Sequence, residues 1–280
     1  MYENNMNSHY FFSKKISKFY KKNVYFKLES HNLTGTHKDR ESLELINFAL
    51  KKNFKKIGCA STGNLAVSLA FYSKLKNLKC YIWLNKNINI IPLLKELGAN
   101  IYIYKKFPLS TLYKKSNEFF KKNKILSVNP GQFDEKLIAN KKITTEILKI
   151  NNKTNCIVSS VNNGSHILGM SKKTKNIKFY GIYTKSKLAE SINSFSLAEL
   201  KKKELKKKIF LINAKDKNII TGFKLLSEEG LFLTGPSCAI VGSLDKIPHK
   251  NICCILSGSA GTNLVEMQKI IFKSKKSPII

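Results

Sequence analysis

The sequence predicts an α/β protein with two open, mainly parallel twisted sheets that carry helices on both faces. Short apolar runs alternate along the chain with longer segments in which apolar residues recur at helical spacing. The runs Lys56–Ala60, Cys80–Leu84 and Cys156–Ser160 are largely apolar, which is typical of parallel strands covered on both faces. Because the chain has 280 residues, it can form two such layered domains, each with its own core.

The predicted elements follow one another in strand–helix order from about residue 56 onward. Helix-stop signals mark several ends, as where Gly98 follows the helical segment Ile90–Leu97. We assign residues 43–129 to a small domain and residues 1–42 with 130–280 to a larger one. The remaining predicted strands are Ile101–Tyr104, Ile125–Val128, Phe179–Tyr183, Ile209–Ile212 and Ile252–Leu256. The remaining predicted helices are Leu65–Lys76, Leu109–Lys122, Asn140–Ile150, Lys217–Glu229 and Ser237–Leu244, with one more starting at Gly164.

The formal net charge of +32 raises the question of a nucleic-acid partner, since lysine and arginine neutralise phosphates. However, Arg40 is the only arginine among the 50 basic residues, although arginine is the preferred reader of base edges. Lysine, asparagine, isoleucine, phenylalanine and tyrosine all have A/T-rich codons, so a biased genome that spreads lysine over solvated faces accounts for the charge. We therefore expect no nucleic-acid partner, and we expect the lysine run Lys201–Lys208 to be a solvated helix end.

Composition and local sequence patterns argue against several other classes of protein. Hydrophobic residues make up 42% of the chain, which argues against disorder in spite of the charge. No apolar run approaches the ~18–20 residues that a membrane span needs, and the N-terminus lacks a secretory signal pattern. The cysteines show no zinc-ligand spacing. We expect a cytoplasmic protein without membrane or metal partners, whose reduced cysteines serve in packing, namely Cys59, Cys80, Cys156, Cys238, Cys253 and Cys254.

The most informative segment is Glu29–Arg40, which reads ESHNLTGTHKDR. Its residues from Asn32 to Thr36 form a turn that caps a following helix, and Lys38 stands where that helix begins. The positive end of a helix dipole favours the neutral amine of a lysine, which is the form that makes a Schiff base. A capping turn with a solvated lysine is the alternative interpretation of this local pattern.

Three further turns each follow an apolar run. In Ala60–Asn64 (ASTGN) and Val161–Gly169 (VNNGSHILG), backbone N–H groups can cradle an anion. Leu256–Gly261 (LSGSAG) places hydroxyl groups at the carboxyl end of a strand, where open α/β sheets bind ligands. Each of these signals is weak alone, because many strand-to-helix turns carry such residues.

Taken together, these segments resemble the fold-type II pyridoxal-phosphate enzymes, and within them the threonine synthases most closely. The lysine segment is similar to the motif Asn-Pro-Thr-Gly-Ser-Phe-Lys-Asp-Arg, with Leu33 in place of the proline and His37 in place of the aromatic residue. ASTGN resembles the family's substrate loop, and VNNGSHILG resembles its phosphate cup. SVNP, EEGLFLTGPSCAIVGSL and ILSGSAG resemble further blocks in the same order. The resemblance runs from about residue 27 to 262 and implies a tryptophan-synthase-β-like architecture.

The resemblance implies pyridoxal 5'-phosphate as cofactor, a homodimer, and conversion of O-phospho-L-homoserine to L-threonine and phosphate. Lys38 would hold the cofactor covalently and move protons, while Ser257 would hydrogen-bond the ring nitrogen. The remaining cofactor-binding residues would be Asn64 at the ring hydroxyl and Asn162, Asn163, Gly164, Ser165 and His166 at the phosphate. The amino-acid substrate would be bound by Thr36, Ser61, Thr62, Gly63, Ser127 and Gln132.

Departures from the family pattern keep other chemistries open. Asn162 and Ser165 stand where the phosphate cup has glycines, and Gln132 stands where the family has a substrate-binding arginine. Gln132 leaves serine or threonine ammonia-lyase chemistry and cysteine-synthase-type β-replacement as alternatives. Another alternative is a non-catalytic protein of this fold that binds polyanions through its lysines. His37 abuts Lys38, and the sequence leaves open whether it faces the cofactor phosphate.

Overall fold

The chain divides into two compact units, each built around its own sheet. In the computed structural model, one unit comprises Met1–His37 with Asn140–Ile280 and the other comprises Lys38–Ala139. Residues 43–129, assigned from sequence to a small domain, lie within the second unit. The described residues are 6, 8–61, 63–85, 89–104, 107–129, 134–172, 174–192, 209–258 and 264–275.

The strands follow the apolar runs of the sequence closely. The predicted strands at residues 56–60 and 156–160 have the observed bounds, and the other predicted strands agree within about two residues at each end. Two strands near the N-terminus, β1 and β2, were not predicted. The strands of the described residues are β1 (His9–Phe12), β2 (Asn23–Leu28), β3 (Lys56–Ala60), β4 (Lys79–Leu84), β5 (Asn100–Ile103), β6 (Leu126–Ser127), β7 (Cys156–Ser160), β8 (Lys178–Thr184), β9 (Ile209–Ala214) and β10 (Asn251–Leu256).

The helices also follow the predicted pattern, with one large extension. The helix expected from Asn140 begins at Asp134, because Asp134 and Glu135 suit the positive end of the helix dipole. The lysine run Lys201–Lys208 lies outside the described residues. The α-helices of the described residues are α1 (Lys14–Tyr20), α2 (Lys38–Lys51), α3 (Asn64–Leu75), α4 (Ile91–Glu96), α5 (Leu109–Lys122), α6 (Asp134–Ile150), α7 (Ser165–Ser171), α8 (Asp216–Glu228), α9 (Gly235–Val241) and α10 (Leu264–Lys275).

Both sheets are mainly parallel, which confirms the predicted fold class. Among the described residues, the first unit has a six-stranded sheet of order β1-β2-β10-β7-β8-β9, in which only β1 runs antiparallel to its neighbour. The second unit has a four-stranded, fully parallel sheet of order β5-β4-β3-β6. Strand β10, late in the chain, lies between β2 and β7. The carboxyl ends of these three strands therefore lie side by side at one edge of the sheet.

Buried aromatic and thiol side chains fill the cores. In the second unit, Trp83 stacks on Tyr104 with ring centroids 4.6 Å apart and also contacts Phe120. All six cysteines are buried as free thiols, as packing residues should be. Burial raises the pKa of Cys80 and Cys156 to about 12, so these thiols stay protonated and unreactive at neutral pH. No helix in the described part of the chain has the length and hydropathy needed to cross a bilayer.

Lys27 departs from the expectation that lysine covers solvated faces, as Lys136 also does. Lys27, on β2, is fully buried, and its Nζ lies 2.9 Å from Glu146 Oε2 and donates to the Ser8 carbonyl at 2.7 Å. A buried ammonium needs a counter-charge and hydrogen-bond acceptors, and these partners supply both. Ser8 and Glu146 are distant from Lys27 in the chain, so the local sequence around β2 could not reveal these contacts.

Candidate active site

In the first unit, the ends of three adjacent parallel strands carry Ser257, the predicted phosphate turn and the turn of residues 29–37. The turn 29–37 follows β2, Ser257 follows β10, and the turn 161–164 follows β7. Because parallel strands end at the same edge of a sheet, residues far apart in the sequence meet there. This topology brings His37, Ser257 and His166 together.

Ser257 is held firmly at the end of β10. Its main-chain N–H donates to Ser237 Oγ at 3.0 Å, and the buried Ser237 hydroxyl donates back to the Ser257 carbonyl at 2.9 Å. The next residue, Gly258, has φ +86° and donates its N–H to the Gly35 carbonyl at 3.2 Å. A Cβ at Gly258 would collide with Thr234 Oγ1, so this position requires glycine. The Ser257 hydroxyl is therefore presented from a rigid strand end.

The Ser257 hydroxyl contacts the turn that precedes Lys38. It accepts the His37 main-chain N–H at 3.1 Å and lies 2.9 Å from His37 Nδ1. It also lies 3.3 Å from the hydroxyl of Thr36, which is fully buried. The His37 ring stacks on His166 with centroids 4.0 Å apart, and His166 Nδ1 lies 3.1 Å from Ser159 Oγ. The contact between these two histidines could not be predicted, because neither their spacing nor their local pattern in the sequence connects them.

The predicted phosphate turn is built around Gly164. This glycine has φ +84°, and the Asn163 side chain accepts both the main-chain N–H of Ser165 at 3.1 Å and its hydroxyl at 2.9 Å. Asn162 is half-buried, whereas Ser165 and His166 are buried. An anion that bound through Ser165 would have to compete with the Asn163 side chain.

In the second unit, Lys38 begins α2 and forms an ion pair with Glu41. The Lys38 Nζ lies 2.8 Å from Glu41 Oε2, and the side chains are 18% and 1% exposed. Glu41 was not predicted from the sequence as a partner of Lys38, although residues three apart on a helix share a face. This ion pair holds the Lys38 side chain against its own helix.

A hydrogen-bond network positions the start of the predicted substrate loop. Asn129, 8% exposed, accepts the Ala60 main-chain N–H at 2.5 Å through its Oδ1 and donates to Ser116 Oγ at 2.9 Å through its Nδ2. The buried Lys136 donates to the Val128 and Asn129 carbonyls at 3.0 and 3.3 Å. This network ties the residues after β6 to the last residue of β3, where the loop begins. Asn129 belongs to the SVNP segment that resembles a family block, whereas Lys136 was not predicted to lie near the site.

The remaining predicted substrate residues lie around this loop. The half-buried Ser61 donates its main-chain N–H to the Trp83 carbonyl at 3.1 Å, and Gly63 is exposed just before α3 starts at Asn64. Ser127 donates its hydroxyl to Asn117 Oδ1 at 2.6 Å. Thr62 and Gln132 lie outside the described residues. Within the described ranges, no three His, Cys, Asp or Glu side chains are placed to hold a metal ion.

Replacing Asn129 by alanine is expected to lower the free energy of unfolding by about 1–3 kcal/mol, because the buried Ala60 N–H loses its acceptor. The same variant should raise the KM for the amino-acid substrate, since the loop after Ala60 loses its support. Urea unfolding and steady-state kinetics measure the two effects. The exposed Asn152, replaced by alanine, serves as the control and should change neither. If Asn129→Ala left the KM unchanged, this network would have no role in substrate binding.

These groups suit pyridoxal phosphate. In the first unit, Ser257 offers an uncharged hydroxyl at a strand end and the Gly164 turn offers backbone N–H groups. In the second unit, taken by itself, Lys38 offers a partly exposed primary amine. The fold and this donor set define a fold-type II enzyme that uses pyridoxal 5'-phosphate. The chain belongs to the family described as pyridoxal-phosphate dependent enzyme, whose model matches residues 5–258.

Comparisons with individual proteins agree with this family. The chain is 41% identical over 63 residues to a threonine synthase of Methanocaldococcus jannaschii, a match that covers 22% of this chain and 16% of that protein. Among solved structures, it is similar to the processed form of threonine deaminase isoform 2 from Solanum lycopersicum, with a TM-score of 0.83 and 19% identity over 96% of this chain and 84% of that one. It is also similar to maize serine racemase, with a TM-score of 0.80 and 16% identity over 95% of this chain and 93% of that one.

Proposed function

We propose that the protein is a carbon–oxygen lyase that converts O-phospho-L-homoserine to L-threonine and phosphate with pyridoxal 5'-phosphate. The 41% identity to a threonine synthase over 63 residues is the observation that carries this proposal. The SVNP segment supports it, because Ser127 and Asn129 both hydrogen-bond to Asn117 and Asn129 holds the start of the substrate loop. In the overall reaction, protons leave Cα and Cβ, the bond from Cγ to the phosphate oxygen breaks, and the hydroxyl of water is added to Cβ. Of the three protons released, one returns to Cα, one goes to Cγ and one goes to the phosphate.

Each group of residues has a part in this proposal. Lys38, Asn64, Ser257 and the turn of residues 162–166 would hold the cofactor. When bound, the cofactor supplies a sink for the electron pair left at the substrate α-carbon. The Lys38 amine takes the α-proton and later returns it, and Glu41, whose Oε2 lies 2.8 Å from Nζ, positions the side chain. The Ser61 hydroxyl and the Gly63 N–H receive the substrate carboxylate.

The hydroxyl of Ser257 sets the electronic character of this site. A serine is a weak acid, so it donates a hydrogen bond to a pyridine nitrogen without protonating it. A carboxylate in the same place would hold the nitrogen protonated. We infer that the site works with an unprotonated ring nitrogen.

A second candidate function is dehydration of serine or threonine to a keto acid and ammonium. The residue that favours it is Gln132, an uncharged side chain where the threonine synthase pattern has an arginine. Glutamine at position 132 does not offer the charged bidentate group that suits a substrate phosphate. A dehydratase substrate carries no phosphate and needs no such group. O-acetyl-L-serine carries no phosphate either, so Gln132 equally favours its β-replacement with sulfide.

A substrate panel separates these reactions. The purified protein with pyridoxal 5'-phosphate is given O-phospho-L-homoserine, then L-threonine or L-serine, then O-acetyl-L-serine with sulfide. We expect phosphate and L-threonine in equal amounts from the first substrate. Keto acid and ammonium from the second without phosphate from the first would replace our proposal with the dehydratase. No turnover together with salt-dependent RNA binding would favour the polyanion-binding alternative.

Replacing Gln132 by arginine is expected to lower the KM for O-phospho-L-homoserine by about tenfold, because a charge-assisted bond to the substrate phosphate would be gained. The KM for L-serine, which has no phosphate, should not change. Gln132→Glu is the matched control of opposite charge and should raise the KM for the phosphorylated substrate. If the two variants shifted that KM in the same direction, residue 132 would not face the phosphate.

A further inference from the structure

Asn32, in the turn that precedes Lys38, joins two groups that accept hydrogen bonds. Its Nδ2 donates to Glu29 Oε2 at 2.7 Å and to the Thr36 main-chain carbonyl at 3.1 Å. A carboxylate oxygen and a carbonyl oxygen have no proton to donate, so the amide nitrogen of Asn32, and not its amide oxygen, must face them. The orientation of this side chain is therefore decided by its partners.

The Glu29 carboxylate is a fixed anchor for Asn32. Glu29 is fully buried, and its other oxygen, Oε1, accepts the Ser8 hydroxyl at 2.7 Å. The Ser8 carbonyl in turn accepts the Lys27 ammonium at 2.7 Å, and Lys27 is paired with Glu146 on α6. A buried carboxylate needs hydrogen-bond donors, and the Asn32 amide is one of them. Because Ser8 precedes β1 and Glu29 follows β2, this network ties Asn32 to the paired ends of those two strands.

The main chain of Asn32 closes the same turn. Its carbonyl accepts the Gly35 N–H at 2.8 Å, and its side chain reaches one residue further, to the Thr36 carbonyl. Gly35 has φ +78°, and its own carbonyl accepts the Gly258 N–H at 3.2 Å. The turn is therefore held by Asn32 on one side and by the end of β10 on the other.

The peptide group between Thr36 and His37 carries the effect of Asn32 into the site. The Thr36 carbonyl and the His37 N–H belong to one planar peptide group, so neither can turn without the other. Asn32 holds the carbonyl, and the N–H donates to Ser257 Oγ at 3.1 Å. Fixing the carbonyl therefore fixes the direction in which the N–H points. It also fixes the backbone that carries the Thr36 hydroxyl, which lies 3.3 Å from Ser257 Oγ.

We propose that Asn32, anchored by Glu29, is a positioning residue that sets the peptide between Thr36 and His37. This peptide is the last complete one before the cofactor lysine, so its orientation sets the path of the chain into Lys38. The inference rests on the proposed roles of Lys38 and Thr36 in binding cofactor and substrate.

Amide hydrogen exchange in the full-length protein without cofactor tests the local part of this inference. Asn32→Ala should speed exchange of the His37 N–H by about tenfold or more, because that amide is no longer aimed at Ser257 Oγ. Asn32→Asp should speed it further, since its carboxylate would face Glu29 and the Thr36 carbonyl without a proton to donate. Wild-type exchange in the aspartate variant would show that the amide donors are not needed, and would overturn the inference.

Two controls separate this role from general stability. Cys254 lies on β10, which is paired on both sides, and its amide should exchange at the wild-type rate in both variants. Asn152→Asp places the same charge at an exposed position and should change neither amide. If Asn32→Ala sped exchange of Cys254 and His37 by the same factor, Asn32 would stabilise the whole unit and the inference would be overturned. If Asn32→Asp does not fold, the alanine variant still decides.

Binding of pyridoxal 5'-phosphate by the same proteins shows whether the turn matters to the site. Asn32→Ala should weaken cofactor binding by about tenfold, because the chain that leads into Lys38 is no longer held in place. Glu29→Met removes the anchor and should weaken binding in the wild type, but by less than about twofold in the Asn32→Ala background. Unchanged binding in Asn32→Ala, or independent effects of the two substitutions, would overturn the inference. The proposed function would still stand, because it fails only if the wild type makes no threonine.

Discussion

Replacing Lys38 by alanine is expected to lower the turnover of O-phospho-L-homoserine by at least about 10³-fold. The amine would hold the cofactor and also move the substrate α-proton, so its removal eliminates two functions at once. The chain should still fold, because the side chain stands at the first position of α2 and is partly exposed, although the buried Glu41 loses one charged partner. Phosphate release under saturating cofactor measures the effect.

The chain offers a matched control for this variant. Lys51 lies exposed in the last turn of the same helix, and Lys51→Ala should keep wild-type turnover. A small primary amine added to Lys38→Ala should restore part of the activity, because it replaces the missing proton acceptor. If Lys38→Ala kept more than about a tenth of the wild-type turnover, Lys38 would not be the catalytic base.

Replacing Gly222 by alanine is expected to lower the free energy of unfolding by about 3 kcal/mol or more. A Cβ at Gly222, on α8, would overlap the main-chain carbonyl of Cys238 on α9. A Cβ at Gly242 would likewise overlap the carbonyl of Asn218. The obstacle in each case is backbone, so relief requires the two helices to separate. This loss is a large part of the stability of a typical domain.

Urea unfolding measures this loss, with Gly63→Ala as the control. Gly63 has an extended backbone with φ −136° and no atom within 4 Å of a Cβ, so alanine fits there. Gly63→Ala should leave the free energy of unfolding within about 0.5 kcal/mol of the wild type. A loss below about 1 kcal/mol in Gly222→Ala would mean that α8 and α9 do not pack as closely as described.

Local sequence was enough to predict most strands, because parallel strands buried on both faces are continuous apolar runs. Strands β1 and β2 were missed for a physical reason. Lys27 interrupts the apolar pattern of β2, and its burial depends on Ser8 and Glu146, which are distant in the chain. Helix α6 was predicted too short, since Asp134 and Glu135 are polar and lie before the apolar periodicity begins.

Only those parts of the candidate site that depend on residues close together in the sequence could be predicted. Lys38 and the Gly164 turn stand in short recognisable patterns, and Glu41 could have been found from its spacing on α2. The contact of His37 with Ser257 could not, because it depends on the position of β10 beside β2. Strand order in a parallel sheet is set by long-range packing, which leaves no mark in either segment.

The claim that this chain is an enzyme working through Lys38 is tested most directly by locating the cofactor on the protein. Borohydride treatment of the holoenzyme reduces the bond between lysine and cofactor, and mass spectrometry of the digested protein finds the labelled residue. With one arginine among its 50 basic residues, the chain offers 49 lysines as possible sites. We predict one phosphopyridoxyl group per chain, on Lys38. A label spread over many lysines, or fixed on another one, would contradict the account.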